Sequence, residues 1–156
     1  MGRWRYVNFA ILVAVLVFLY IGVFSSASLL APKALGPAAH PWAPVDGWRV
    51  RAGHAATLTP GKSADVQIQL CPGCYREIRD IGAAVSVERP DDLEAPAVAK
   101  VRGAPYRFAA RVPVLRSACG DDVQLWVGAA DWSGTVHWAS WDIATYMRPC
   151  PSENSG

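Results

Sequence analysis

Tyr106–Val114 reads YRFAARVPV, and its alternation decides the fold class. Tyr106, Phe108, Ala110, Val112 and Val114 fall on one side of an extended chain, Arg107, Ala109 and Arg111 on the other. A period of two marks a strand with one buried and one wet face. Val66, Ile68 and Leu70 alternate with Asp65, Gln67 and Gln69 in the same way, and Val123, Leu125 and Val127 repeat the pattern. Trp48–Arg51, Ala83–Val87, Ala97–Val101 and Thr135–Ile143 are shorter candidates. In the last of these the apolar phase slips between Trp138 and Trp141, as a bulge would cause. Turn signals separate the runs: Pro60-Gly61, Arg89–Asp92, Gly103–Pro105, Cys119–Asp122 and Trp132–Gly134. Tyr75–Ile81 offers no more than a helical turn. Seven short strands predict a single immunoglobulin-like antiparallel β-sandwich, with a small barrel as the alternative.

Upstream the chemistry changes. Phe9–Phe24 is an uncharged run of sixteen residues, FAILVAVLVFLYIGVF, behind Arg3 and Arg5. A helix of roughly 20 residues crosses a hydrocarbon core, and basic residues stay on the cytoplasmic side. The run is long for a cleaved signal, whose apolar region is about 7–15 residues, although Ser25 and Ala27 would suit a cleavage site. An uncleaved signal anchor is the preferred reading. Residues 1–6 are then cytoplasmic, 7–30 form a transmembrane helix, and the remainder is displayed beyond the inner membrane, in the periplasm. Residues 31–45 hold prolines and alanines, APKALGPAAHPWAPV, which predicts an extended linker. Residues 46–150 form the sandwich and 151–156 a tail.

The net charge of +2 favours no ligand class, and mixed-sign clusters such as Arg76–Asp80 read as solvated surface. No run of basic residues suits nucleic acid.

Four cysteines in an exported domain imply oxidation, with three pairings open. If residues 123–128 and 135–143 form a hairpin, Cys119 and Cys150 become neighbours, a bridge worth roughly 3–4 kcal/mol in the chain-entropy model. That leaves Cys71-Pro72-Gly73-Cys74, whose short loop gains only about 2 kcal/mol. Pro72-Gly73 fits the centre of a type II turn, so a structural disulfide is the plain reading. Thiol–disulfide exchange and a thiolate metal site, with His54 as a third ligand, are the sharper ones. No metal and no cofactor is expected.

Six tryptophans follow the apolar run. One or two belong in the core; Trp126 is out of phase with its neighbours and Trp132 lies in the hairpin loop. Trp42, Trp126 and Trp132 are the candidate partner-binding residues. Catalytic signals are sparse: Ser133 lacks a nucleophile-elbow context, and His137 with Asp142 is a pairing that chance supplies cheaply. The sequence therefore predicts a non-enzymatic, membrane-anchored accessory or assembly subunit of a larger membrane complex. The alternatives are a thiol-exchange or metal-transfer protein using the CPGC motif, and a carbohydrate-binding module using Trp126 and Trp132.

Overall fold

The computed structural model describes residues 11–18, 20, 35–104, 107–118 and 120–149. The chain divides into two units, Met1–Pro32 and Lys33–Gly156. In the first, residues 11–18 and 20 are helical and all are exposed. Among the described residues no helix is long and apolar enough to cross a membrane. Most of the expected span, 7–30, lies outside them.

The second unit is two antiparallel sheets packed face to face. The first contains β1 (Ala38–Ala39), β2 (Ala43–Val45), β3 (Trp48–His54), β4 (Ser63–Leu70), β7 (Arg102–Ala104) and β8 (Arg107–Pro113). Its order is β1-β3-β4-β8-β7, with β2 also pairing β3. The second contains β5 (Ile78–Ser86), β6 (Ala99–Lys100), β9 (Gln124–Asp131) and β10 (Val136–Asp142), in the order β10-β9-β5-β6. Val66, Ile68, Leu70 and Val112 of the first sheet share the common core with Leu125 and Val127 of the second, as the alternation requires. All seven expected strands are present.

The expected linker is not a free spacer. Leu35, Ala38 and Val45 are buried, and β1 and β2 both pair with β3. His40 donates its backbone N–H to the Ala52 carbonyl at 2.9 Å, and the Trp141 indole N–H donates to the Pro41 carbonyl at 3.0 Å. Proline favours an extended backbone, and an edge strand tolerates its missing N–H, as Pro44 does in β2. Extended chain is what an edge strand needs, so the composition that suggested a stalk also permits docking. Gly53 makes that docking possible: a Cβ there would lie 2.0 Å from the Leu35 carbonyl oxygen.

The bulge expected in β10 is absent. Its register with β9 is continuous from Val136↔Ala130 to Asp142↔Gln124. Trp138 instead lies on the outer face of the second sheet, against Gly128, where Leu93 from the 87–98 loop joins it. The second sheet thus carries apolar cover on both faces, which is why its outward positions look like core positions in the sequence. The irregularity in this sheet falls in β5, between Ile78 and Asp80.

Candidate functional site

The chain crosses from the first sheet to the second at Cys71–Glu77. Cys74 donates its N–H to the Cys71 carbonyl at 3.1 Å, and Gly73 at φ +85° takes the left-handed position of a type II turn. Cys71 and Cys74 form a disulfide across this turn, their Cα atoms 5.4 Å apart. Cys71 is fixed to β3 twice: its N–H donates to the Arg49 carbonyl at 2.9 Å, and the Arg49 N–H donates to Cys71 Sγ at 3.2 Å. Cys71 is 8% exposed. Cys74, which opens a single 3₁₀ turn through Arg76, is half-buried. The partner cysteines of the other expected bridge, Cys119 and Cys150, lie outside the described residues.

Two tryptophans pin this corner. The Trp48 indole N–H donates to Glu77 Oε2 at 2.7 Å, and Trp48 is buried. Trp132, at the tip of the β9–β10 hairpin, donates its N–H to the Arg76 carbonyl at 3.0 Å while 69% of it stays exposed. A large apolar ring is thereby held in one orientation in solvent. Beside it, Asp131 Oδ1 accepts from the Ser133 hydroxyl at 2.6 Å and from the Thr135 N–H at 2.9 Å. The Ser133 hydrogen bond, aided by backbone N–H groups, holds the Asp131 carboxyl below the usual carboxylate range. His137 Nε2 lies 3.4 Å from Asp46 Oδ2 and 3.7 Å from Asp131 Oδ2, edge-on to Trp48. Ser133 gives its proton to Asp131, so it is not set up as a nucleophile toward His137. Asp142, at the far end of β10, accepts from the Ala144 N–H. The His137–Asp142 pairing is not assembled.

Trp42 and Trp126 are elsewhere. Trp42, 40% exposed, lies over the Arg51 guanidinium at 4.9 Å, with Arg49 at 6.0 Å. Trp126 is half-buried and donates its N–H to the Ser86 carbonyl at 3.3 Å. It sits six residues before Trp132, which follows the end of β9, roughly 20 Å at the rise of extended chain, so the two rings share no platform.

The proposed thiolate site with His54 is not brought together either. His54 is five residues beyond Arg49 on β3, about 17 Å along the strand. Among the described residues no group of three or more His, Cys, Asp or Glu side chains is placed to hold a metal ion. The structure gives His54 another partner, His40, with Nε2 to Nε2 at 3.0 Å. Burial pushes both imidazoles below their ordinary value of 6.5, and their mutual repulsion adds to the shift at His40. This pair was invisible in the sequence because His40 sat in the segment read as linker.

The family described as "Uncharacterised conserved protein UCP029505" matches residues 1–144, and the chain belongs to that family. No curated protein and no solved structure matches it.

Proposed function

We propose that this chain is a membrane-anchored, non-enzymatic accessory subunit whose sandwich docks on a larger membrane complex through the corner at Cys71–Glu77 and the adjoining hairpin tip. Trp132 carries this reading. An exposed indole whose N–H is already fixed on Arg76 loses little rotamer freedom on binding, which is the property of an interface anchor. The apolar helix in the first unit, with every described residue exposed, suits a lipid environment better than water. The anchor would place the N-terminus in the cytoplasm and the sandwich in the periplasm, where the Cys71–Cys74 disulfide persists.

The test is mild extraction from native membranes followed by native sizing of the wild-type chain and a Trp132→Ala variant. The wild type should migrate within a larger assembly and the variant apart from it, with the variant's thermal midpoint within a few degrees of the wild type. A wild-type chain that migrates alone would sink the proposal.

One observation favours a second reading. Cys74 is the more exposed residue of the pair, and the Arg49 N–H is aimed at Cys71 Sγ. A partner's thiolate attacking Cys74 would form a mixed disulfide and release Cys71 as a thiolate stabilised by that N–H. The partner dithiol would be oxidised and the pair reduced.

A further inference from the structure

Strand register gathers arginines that are far apart in sequence onto one surface. On the outer face of the first sheet, Arg49 and Arg51 from β3 are followed by Gln69 and Gln67, which pair with Arg51 and Gly53. Across β4, Asp65 pairs with Arg111, and Arg102 of β7 pairs with Ala109 of the same face. Arg49, Arg102 and Arg111 are exposed and Arg51 is half-buried. Among the described side chains, these four arginines against the carboxylate of Asp65 leave this face with a formal charge of +3. Trp42 lies at its edge, stacked on Arg51.

The loop covering the opposite outer face has the opposite sign, with Lys100 of β6 paired to its Glu94 at 2.9 Å. The loop whose Leu93 packs over Gly82 and Gly128 carries Glu88, Asp91, Asp92 and Glu94 against Arg89, a formal charge of −3. The sandwich is therefore polarised through its thickness. A cationic sheet face with an aromatic rim matches an anionic surface, and indole favours the bilayer interface. The sequence supplies proximity as well: Leu35 is already buried in the sandwich, only five residues past the end of the expected span. Five residues reach at most about 18 Å.

We propose that the arginine face of the first sheet, Arg49, Arg51, Arg102 and Arg111 with Trp42, rests on anionic phospholipid headgroups, turning the acidic 87–98 loop away from the bilayer. This rests on the membrane-anchor reading above, and leaves the Trp132 tip for the protein partner.

The experiment reconstitutes the full chain in nanodiscs of phosphatidylcholine, alone or mixed with phosphatidylglycerol. Co-elution with the discs reads the anchor, and phenylglyoxal modification mapped by mass spectrometry reads the face. Arg49, Arg102 and Arg111 should react about fivefold more slowly in the anionic discs than in the neutral ones, a difference erased by high salt. Arg89, on the acidic loop, should react equally in both. An Arg49→Gln/Arg102→Gln variant should lose the protection remaining at Arg111. Equal reactivity in the two discs overturns the proposal, as does protection seen in native membranes but in neither disc, which would assign the face to an acidic protein. If the chain fails to co-elute with either disc, the anchor reading falls. The same footprint with vesicles added from outside then decides the face by itself.

Discussion

The imidazoles of His40 and His54 meet Nε2 to Nε2 at 3.0 Å, joining the segment between β1 and β2 to the end of β3. His54 Nδ1–H donates to the Ala55 carbonyl at 2.6 Å, so in the neutral pair its Nε2 accepts from His40. Tyr146 closes on both rings edge-on. Both groups bind protons less readily folded than unfolded. Between their lowered values and 6.5 the unfolded chain therefore holds more protons, and stability falls as pH drops through that window. Denaturant midpoints should be flat above about pH 7 and decline toward pH 5. A His40→Asn/His54→Asn variant should show a shallower decline; an equally steep one would assign the loss to other groups.

Gly53→Ala should dislodge residues 35–45, because the added methyl would collide with the Leu35 carbonyl, backbone that cannot rotate away. The cost is about 1–3 kcal/mol, the range for overpacking. Limited proteolysis within 35–45, faster than in the wild type while the core strands stay resistant, is the expected result.

On the far side of the molecule, Gly128→Ala tests the outer cover of the second sheet. Its Cβ would lie 2.6 Å from Trp138 Cζ3 and 2.8 Å from Leu93 Cδ2. Here the neighbours are side chains that can move, so a loss of about 1–2 kcal/mol is expected. Increased exposure of Trp138, read by indole oxidation mapping, should accompany it.

Replacing the corner disulfide separates the two readings of it. Cys71→Ser/Cys74→Ser should cost about 2 kcal/mol through the loop-entropy effect, seen as a lower denaturant midpoint. Under the accessory-subunit reading the variant still assembles at permissive temperature. Loss of function with assembly intact would favour thiol exchange.

The long strands were legible because burial on one face writes a period of two into the sequence. The short ones were not. Two residues at Ala38–Ala39 or three at Arg102–Ala104 carry no period, and their pairing is decided by β3 and β8, not by their own composition. Trp138 misled for a related reason: an outward position covered by Leu93 looks apolar, and an alternation argument can only absorb it as a slip. The Cys71–Cys74 turn was readable from Pro72-Gly73, whose geometry is local. The arginine face was not readable, since Arg49, Arg51, Arg102 and Arg111 become neighbours only through the pairing of four strands.

The bond from the Trp141 indole to the Pro41 carbonyl spans 100 residues of chain. Synthesis delivers Pro41 first and Trp141 near the end, so the N-terminal edge must wait, unsealed, until β10 has been made. A chain interrupted before β10 would keep β3 and β4 but leave the segment around Pro41 open to proteases. The last described strand is thus what seals the N-terminal edge, and a copy lacking it should be cut near Pro41 sooner than the intact chain.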